Sequence, residues 1–336
     1  MTESAPLLEI KGLKKHFPVS GRLFDREPAQ VVHAVDGVNL AVHRGQTVAL
    51  VGESGCGKST LGRAVLGLVP LTRGEIWFDG RRIDTLSRSK FRNLRKRIQV
   101  VFQDPYSSLN PRMRVRDIVG EPLVNFGLAR RGPEFEKQVG GILDQVHLPR
   151  EAASRYPHEF SGGQRQRIGI ARALASGPDL IVLDEAVSAL DVSVKAQIIN
   201  LLVELQQRLG LAMLFISHDL AIVEHLCDTV AVMYLGKVVE IGPRASIFGA
   251  SAHPYTQALL SAVPVPDPTA RRDPIILAGD IPSPINPAPG CRFKSRCLHA
   301  FDRCQTAEPV LSMRKGGQAA ACHLETVPVS TSPIRQ

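Results

Sequence analysis

Long apolar runs are missing from this sequence of 336 residues. No uninterrupted run approaches the ~20 residues that cross a lipid bilayer, and the start, Met1 to Pro6, lacks a basic region followed by an apolar one. The sequence also contains no internal repeat and no low-complexity tract, which argues against a repeat architecture. We therefore expect a protein that stays in the cytoplasm.

Acidic residues are in deficit, since 32 Asp and Glu face 41 Lys and Arg and the net charge is +9. Eight basic positions lie between Arg81 and Arg97. Such a stretch can bind nucleic acid or an acidic membrane surface, but a solvated basic helix face is the interpretation we favour. Hydrophobic content of 44% and charged content of 22% are typical of a soluble globular protein. The length suits a main domain with an appendage.

The stretch Gly52 to Thr60 reads GESGCGKST and directly follows the apolar run Val48 to Val51. Its spacing lets consecutive backbone N–H groups turn inward around the phosphates of a nucleotide. A side chain at Gly55 or Gly57 would obstruct this approach, because only glycine reaches the required backbone angles without a Cβ clash. The alternative is a glycine-rich turn that binds no ligand. It would require eight constrained residues to occur between a strand and a helix by chance.

Two side chains at the end of this loop supply the chemistry. Lys58 offers a positive charge to the β and γ phosphates, and the Ser59 hydroxyl offers a ligand to Mg²⁺. The helix that begins at Lys58 adds the partial positive charge of its N-terminus. We expect the following residues to contact the nucleotide: Gly52, Ser54, Gly55, Cys56, Gly57, Lys58, Ser59 and Thr60.

The order of strand and helix patterns predicts a β-rich beginning followed by an α/β sheet. Asp104 to Phe160 contains no strand-like run, which indicates an inserted helical subdomain. Pro264 to Pro289 contains eight of the 24 prolines and should be extended along a surface. The predicted strands are Leu7 to Phe17, Val35 to Val42, Ile98 to Gln103, Leu180 to Leu183 and Ala212 to Ile216, with hairpins around Asp79-Gly80 and Leu235-Gly236. The predicted helices are one from Lys58 to Pro70 and one from Ser193 to Leu209.

Polar residues follow three of the predicted strands at their carboxyl ends, which face the ligand side of an open α/β sheet. Gln103 ends the first of these strands, Asp184 and Glu185 follow the second, and His218 follows the third. We therefore expect these side chains to lie near the phosphate loop.

The segment SGGQ begins a helix with Ser161 as N-cap and Gln164 three residues later, a capping box. Gly162 and Gly163 lower helix stability in the first turn. Their presence suggests that something approaches the backbone closely at this point.

Taken together, these motifs resemble the nucleotide-binding subunits of ABC transporters. The matching elements are the phosphate loop, Gln103, the SGGQ signature, Asp184-Glu185, Asp191 and His218, in register from Phe17 to about Gly242. The resemblance implies an α/β fold with a P-loop NTPase (RecA-like) core, an antiparallel β subdomain, an inserted α-helical subdomain and a C-terminal extension that contains cysteines. Residues 1–103 and 165–250 would form the ATP-binding core, 104–164 the helical signature subdomain and 251–336 the extension.

The resemblance also implies a role for each matched residue. Glu185 would be the general base, with a second Mg²⁺-shell carboxylate as the alternative, while Asp184, Ser59 and Gln103 would hold Mg²⁺. Gln103 would also touch the attacking water. His218 would contact the γ-phosphate unless it is a buried structural histidine, and Phe17 would stack on adenine unless it is a core residue.

In this family the signature binds nucleotide that the opposite subunit holds. Ser161, Gly162, Gly163, Gln164 and Asp191 would therefore complete the site of a companion. The chain carries one set of motifs, so it must dimerise to form complete ATP sites.

One departure concerns the residue after Glu185, where the family usually has proline and this chain has Ala186. We expect this change to loosen the turn slightly. It removes no catalytic group.

A finer resemblance connects the chain with the ATPases of oligopeptide and dipeptide importers, especially the second of their two paired ATPases. It rests on DPYSSLNPRMRV from Asp104, HPYTQALLSAVPVPDP from His253 and GDIPSPINP from Gly279. The implied partners are a sister ATPase, two membrane permeases and an extracytoplasmic peptide-binding protein, and the implied place is the cytoplasmic face of the cell membrane. Related systems import nickel or glutathione.

Two other classes of protein compete with this interpretation. A soluble ABC-type ATPase that acts on nucleic acid or ribosomes usually carries two cassettes or a long coiled-coil insertion, and neither is present. We therefore expect no nucleic-acid partner. A non-hydrolysing scaffold is disfavoured by the intact Lys58, Glu185 and His218.

Four of the six cysteines are Cys291, Cys297, Cys304 and Cys322, separated by five, six and seventeen residues. A cytoplasmic setting argues against structural disulfides. Four thiolates can hold Zn²⁺ or an iron–sulfur cluster, and zinc knuckles favour a closer spacing. Some ATPases of the resembling family carry a 4Fe-4S cluster at this place, which favours the cluster over zinc or no metal.

Overall fold

The computed structural model describes residues 5–19, 30–263 and 274–327, whose strands form two sheets. The strands are β1 (Leu8–Pro18), β2 (Val31–Val42), β3 (Thr47–Val51), β4 (Arg73–Phe78), β5 (Arg81–Arg82), β6 (Ile98–Val101), β7 (Leu180–Asp184), β8 (Ala212–Ser217), β9 (Thr229–Tyr234), β10 (Lys237–Pro243), β11 (Ser312–Met313) and β12 (Ala319–Ala320). The predicted strands are present, although β6 ends at Val101 rather than Gln103 and β2 begins at Val31 rather than Val35. Strands β11 and β12 are additional.

Helices connect most of these strands. They are α1 (Lys58–Val65), α2 (Arg88–Arg95), α3 (Pro105–Ser108), α4 (Val115–Asn125), α5 (Pro133–Gln145), α6 (Gly162–Leu174), α7 (Val192–Leu209), α8 (Leu220–Leu226), α9 (Arg244–Ala250), α10 (Pro254–Ser261) and α11 (Asp302–Thr306), with short 3₁₀ turns at Arg150–Ser154 and Pro157–Glu159. Among the residues that the structure describes, none of the helices has both the length and the apolar character needed to cross a membrane.

The larger sheet has the order β11-β12-β10-β9-β3-β8-β7-β6, and its pairs from β9 to β6 are parallel. Alternate residues of β3 enter different cores: Val48 and Leu50 pack toward the antiparallel sheet, whereas Ala49 and Val51 pack toward the helical side. Coverage on both faces explains why these strands are continuously apolar. Their carboxyl ends meet at one edge, where the candidate site lies.

The smaller, antiparallel sheet has the order β2-β1-β4-β5. The turn between β4 and β5 has φ angles of 52° at Asp79 and 72° at Gly80, as a tight hairpin turn requires. The predicted hairpin is therefore confirmed. This sheet covers one face of the larger sheet and carries Phe17.

Between β6 and α6 the described chain is helical, as predicted. Phe135 of α5 packs directly over Gly120 of α4, where an added Cβ would lie 2.1 Å from its ring. Helix α6 is continuous across the predicted boundary between residues 164 and 165. The signature motif and the residues after this boundary thus belong to one helix.

The C-terminal extension is attached to both sheets. Strand β12 pairs with β10 and so adds a strand to the larger sheet. Along β2, the backbone N–H of His33 donates to Pro284 O at 2.9 Å and that of Asn286 donates to Val31 O at 2.9 Å. Residues 264–273 of the predicted extended segment lie outside the described residues. From residue 274 onward the segment follows the surface, as predicted.

The predicted end of α1 at Pro70 is wrong, because the helix ends at Val65. Gly67 has φ 64°, and an added Cβ there would lie 2.7 Å from the ring of Phe91. The helix ends in a glycine cap, because the backbone N–H of Leu68 donates to Arg63 O at 2.9 Å and that of Gly67 donates to Ala64 O at 3.0 Å. Leu68, which the pattern assigns to the helix, is 51% exposed.

The basic stretch from Arg81 to Arg97 forms an exposed helix face. Phe91 and Leu94 of α2 are buried, while Arg92 and Arg95 point to solvent. Arg97, at the end of the stretch, forms ion pairs with acidic side chains of two other segments. The stretch is thus an exposed basic helix face with ion pairs at its end.

Candidate functional site

The phosphate loop follows β3 and has the backbone of a glycine-dependent turn. Gly52, Gly55 and Gly57 have φ angles of 150°, 81° and 107°, and the left-handed values favour glycine. An added Cβ would lie 2.2 Å from Met233 O at Gly52 and 2.0 Å from Ala34 O at Gly57. The glycines therefore serve packing against β9 and β2 as well as access for phosphate.

Lys58 is the positive charge of the loop and is only 4% exposed. Its Nζ donates to Gly52 O at 2.7 Å and to Glu53 O at 3.0 Å, which holds the ammonium group inside the loop. The Cys56 side chain is also buried, and its Sγ lies 3.8 Å from Nζ. Only the backbone of Cys56 is available to a ligand, whereas Ser54 is exposed on the rim.

Ser59 and Asp184 lie together at the edge of the sheet. The Ser59 hydroxyl donates to Asp184 Oδ1 at 2.9 Å. Burial raises the pKa of Asp184; the hydrogen bond from Ser59 opposes this effect and the charge of Glu185 adds to it. A hydroxyl and a partly buried carboxylate are hard oxygen ligands, so these residues fit a Mg²⁺ ion.

Glu185 and His218 face each other beside this pair. The Glu185 backbone has φ 49°, a left-handed conformation that costs a residue with a Cβ about 1–3 kcal/mol. Its Oε1 lies 3.5 Å from His218 Nδ1. The His218 side chain is 53% exposed, which excludes the alternative of a buried structural histidine.

The turn after Glu185 keeps its hydrogen bonds although Ala186 replaces the usual proline. The backbone N–H of Ser188 donates to Glu185 O at 3.1 Å, and its hydroxyl donates to the same oxygen at 3.0 Å. Ala186 is 1% exposed. The structure gives no sign of the loosening that we expected here.

Gln103 lies just beyond β6, at a cleft of about 780 Å³ that Asp184 also lines. The cleft lies between the larger sheet and α4 of the helical subdomain, whose Pro122 and Asn125 contribute to its wall. Gln103 is exposed and can turn toward Asp184.

Phe17 lies near the end of β1, opposite Val32 of β2. Its side chain is 38% exposed, so it is not the core phenylalanine that was the alternative. Lys15 Nζ lies 4.5 Å above the ring, which orients it. The exposed ring is available to stack on a base.

The signature motif is exposed at the start of α6. The predicted capping box is confirmed: Gln164 N donates to Ser161 Oγ at 3.3 Å, and Ser161 N donates to Gln164 Oε1 at 3.0 Å. Among the described residues, no hydrogen bond joins this motif to the phosphate loop of the same chain. Asp191, the N-cap of α7, is also exposed, and its side chain makes no capping bond.

The two signature glycines differ in their surroundings. An added Cβ at Gly163 would lie 2.4 Å from Val194 Cγ1, whereas one at Gly162 would meet nothing closer than Leu190 Cδ2 at 3.6 Å. The sequence predicted that another group approaches the backbone closely here. In the structure that group is Val194 of helix α7 in the same chain.

The four cysteines of the extension converge and form no disulfide. Burial raises the pKa of Cys291 to about 11, and the neighbouring thiols of Cys304, Cys297 and Cys322 add to the shift. The backbone N–H of Cys291 donates to Cys304 O at 2.8 Å. Among the described residues, no three of these sulfur atoms lie within 4.8 Å of one another.

A cluster of His16, His33 and Asp36 lies outside the nucleotide site and was not predicted. Their ligand atoms are within 4.8 Å of one another, but Lys14 and Arg292 both pair with Asp36. These cations already neutralise the carboxylate, which disfavours a divalent metal. The cluster has no sequence signal, because its members come together only through β1–β2 pairing.

A contact between the loop and the extension was also missed. Arg296 pairs with Glu53, and Tyr255 accepts a hydrogen bond from the Glu53 backbone. In the sequence, the HPYTQALL motif that begins at His253 indicates that this segment has a fixed structural position. It does not indicate the contact with Glu53.

Comparisons with known proteins agree with this geometry. A family model described as "ABC transporter" matches residues 35–188, and one described as "Oligopeptide/dipeptide transporter, C-terminal region" matches residues 239–304. The structure of cbiO1 from Clostridium perfringens is 31% identical, with a TM-score of 0.63, over 73% of this chain and 92% of that one. A dimeric ATP-binding cassette bound to ADP and Pi, MJ0796, is 28% identical, with a TM-score of 0.62, over 70% and 98%.

The fold and the site therefore define an ATP-hydrolysing cassette, and the chain belongs to the ATP-binding proteins of ABC transporters. Within them it falls in the branch with the oligopeptide/dipeptide transporter C-terminal region. It is 49% identical to the dipeptide transport ATP-binding protein DppF of Escherichia coli over 96% of this chain and 95% of that one. It is 51% identical to the "Probable peptide ABC transporter ATP-binding protein y4tS" of Sinorhizobium fredii over 96% and 90%.

We predict that Gly163→Ala lowers the free energy of unfolding by about 1–3 kcal/mol, because the new methyl overlaps Val194. Val194→Ala should recover part of this loss, so that a double-mutant cycle measured by urea unfolding gives a favourable coupling. Gly162→Ala is the matched control and should stay close to the unmodified protein. Equal stability of the two glycine variants would contradict the packing argument.

We predict that Asp184→Asn becomes more stable relative to the unmodified protein as pH rises from about 4 to 7, measured as Tm in EDTA. The raised pKa means that the folded protein keeps this proton to higher pH than the unfolded chain does, so the unmodified protein loses stability across this window. Asn does not titrate.

The control is Asp144→Asn, because the hydrogen bond from Arg150 lowers the pKa of Asp144. Because the Asp144 carboxylate is ionised throughout this window, its difference in Tm should stay nearly constant from about pH 4 to 7 and change, with the opposite sign, only at lower pH. A pH-independent difference for Asp184→Asn would show that burial does not disfavour the charged carboxylate.

Proposed function

We propose that this protein hydrolyses ATP to power the uptake of di- and oligopeptides across the cytoplasmic membrane. The observation that carries the proposal is the match of residues 239–304 to the C-terminal region of oligopeptide/dipeptide transporters. Identity of 49% to DppF over nearly the full length of both chains supports it. ATP hydrolysis at the nucleotide site supplies the energy for uptake. The C-terminal extension indicates the branch of transporters to which the protein belongs.

In the ATP-bound state, the loop residues from Gly52 to Thr60 hold the phosphates, and Lys58 exchanges its backbone acceptors for the β and γ phosphate oxygens. Ser59, Asp184 and Gln103 would hold Mg²⁺. Bound Mg²⁺ would neutralise charge on the phosphates. The 2.9 Å contact between Ser59 and Asp184 supports this set of ligands.

Hydrolysis needs a base for the attacking water and a contact for the γ-phosphate. Glu185, whose Oε1 lies 3.5 Å from His218 Nδ1, is the base in this proposal, and a second carboxylate of the Mg²⁺ shell is its alternative role. His218 contacts the γ-phosphate from its exposed position. Gln103 orients the water at the cleft that it shares with Asp184.

The protein acts as a dimer with a sister ATPase. Phe17 stacks on the adenine of the ATP that this chain holds. The signature from Ser161 to Gln164 and Asp191 of this chain close over the γ-phosphate of the ATP that the companion holds. The exposure of Ser161, Gln164 and Asp191 supports this arrangement, as does the dimeric state of the similar MJ0796 cassette. ATP binding then closes the dimer, and hydrolysis reopens it.

The remaining partners are two membrane permeases and an extracytoplasmic peptide-binding protein. The chain would lie peripherally on the cytoplasmic face of the membrane. The permeases would contact the loop after Gln103, where Tyr106 is 62% exposed and the cleft of about 780 Å³ opens.

The four cysteines hold a 4Fe-4S cluster in this proposal. A tetrahedral Zn²⁺ with Zn–S bonds of about 2.3 Å would need sulfur atoms ~3.8 Å apart, and no three of the described thiols lie within 4.8 Å. Four thiolates can hold such a cluster, and the other three thiols of the set lie near enough to Cys291 to raise its pKa. The cluster would brace the extension and supply no step of ATP hydrolysis.

We predict that Glu185→Gln still binds ATP and dimerises but releases phosphate at least ~100-fold more slowly, because the water loses its base. In vesicles that contain the permeases and the sister ATPase, peptide uptake should stop. Phosphate release, gel filtration with ATP and uptake of a labelled dipeptide provide the measurements.

Glu204→Gln is the control, since Glu204 is an exposed carboxylate that pairs with Arg208 on α7. It should leave all three measurements unchanged. Unchanged phosphate release by Glu185→Gln would remove Glu185 as the base. Hydrolysis with no stimulation by any peptide in the complete complex would contradict peptide as the substrate.

We predict that anaerobically purified protein contains iron and acid-labile sulfide in equal amounts, about four of each per chain, and little zinc. Cys304→Ser should lose both. Cys227→Ala is the control, because Cys227 is buried in the main core and should leave the iron content unchanged. Zinc without sulfide would overturn the cluster.

A further inference from the structure

The second residue of the phosphate loop is tied to the C-terminal extension. Arg296 donates through Nη1 to Glu53 Oε2 at 2.8 Å and through Nη2 to Glu53 Oε1 at 3.1 Å, a two-pronged ion pair. The backbone N–H of Glu53 donates to the Tyr255 hydroxyl at 2.9 Å. Residues beyond the phosphate-binding core therefore hold both the side chain and the backbone of Glu53.

Arg296 is itself held firmly. Its side chain is 9% exposed and lies 6.0 Å from the centre of the Tyr234 ring. The rings of Tyr234, Tyr255 and Phe293 pack together with centroid distances between 4.7 and 5.4 Å. The hydrogen bonds to Glu53 raise the pKa of Arg296, so the group stays charged at all ordinary pH values.

The position of Arg296 depends on the cysteine segment, because it lies between Cys291 and Cys297. Its backbone N–H donates to Phe293 O at 3.0 Å, and the segment is joined to Cys304 by the Cys291 backbone bond. The fold of the extension thus places one guanidinium group beside the phosphate loop.

Glu53 is close to the charge that serves the phosphates, since its carbonyl accepts from Lys58 Nζ at 3.0 Å. A carboxylate in a phosphate-binding loop repels an incoming triphosphate, and the repulsion grows when the carboxylate has no counter-ion. The Glu53 side chain is only 24% exposed, so water screens it poorly.

We propose that Arg296 is a positioning residue for ATP binding: it neutralises Glu53 and fixes the loop, so the C-terminal extension sets the affinity for nucleotide. The proposal rests on ATP binding at the phosphate loop. Arg296 acts through Glu53 and touches no nucleotide.

Titration of the full-length protein with the fluorescent nucleotide mant-ATP and Mg²⁺ tests this. Arg296→Met should raise the Kd about tenfold, because Glu53 keeps its charge without a partner. Glu53→Gln should bind within about threefold of the unmodified protein, and adding it to Arg296→Met should restore binding to the same range. Arg296→Lys keeps the charge but loses the two-pronged geometry, so its Kd should lie between those of the unmodified protein and Arg296→Met.

Arg303→Met is the matched control, because it removes an exposed arginine of the same extension on α11 and should leave the Kd unchanged. Tm is measured for every variant. A purely structural role for Arg296 predicts that the double variant binds as weakly as Arg296→Met, and this result would overturn the proposal. Equal binding by Arg296→Met and the unmodified protein would overturn it too.

Failure of the unmodified protein to bind mant-ATP would be a different result. It would contradict the nucleotide site itself, and the role of Arg296 with it. The two failures are therefore distinguishable.

Discussion

The phosphate loop is packed against neighbouring backbone on two sides, and the rest of the site depends on this constraint. Gly57 approaches the Ala34 carbonyl of β2, and Gly52 approaches the Met233 carbonyl of β9. The two sheets must therefore come together in one register before the loop has its shape. Any side chain at either glycine would push the antiparallel sheet or the β9 strand away, whether or not nucleotide is bound.

The same edge of the sheet gives two adjacent carboxylates different surroundings. Asp184 ends β7 in ordinary strand conformation and meets the hydroxyl of Ser59, which begins the helix after the loop. Glu185 turns into the left-handed region and points toward His218 at the end of β8. One change of backbone angle therefore directs two neighbouring carboxylates to different partners.

Much of this fold was predictable from the sequence, and the failures have different causes. The buried strands were correct because residues such as those from Leu180 to Leu183 are continuously apolar, and the hairpin at Asp79-Gly80 was correct because its residues tolerate positive φ. The predicted end of α1 was wrong because the glycine cap at Gly67 stops the helix before Pro70, a local signal that our prediction overlooked. Strands β11 and β12 are two residues each and have no periodicity to detect.

The sequence alone determined which chemical groups the nucleotide site contains. Gly52 and Lys58 belong to a local loop motif, and Asp184 and His218 lie at the ends of apolar strands, so these groups can be recognised without the tertiary structure. Tertiary structure decided which of those groups are exposed and which neighbouring residues contact them. Arg296 and Glu53 are 243 positions apart, and Gly163 meets Val194 across two helices. Such contacts depend on how sheets and helices pack, and packing between distant segments leaves no local pattern in a sequence.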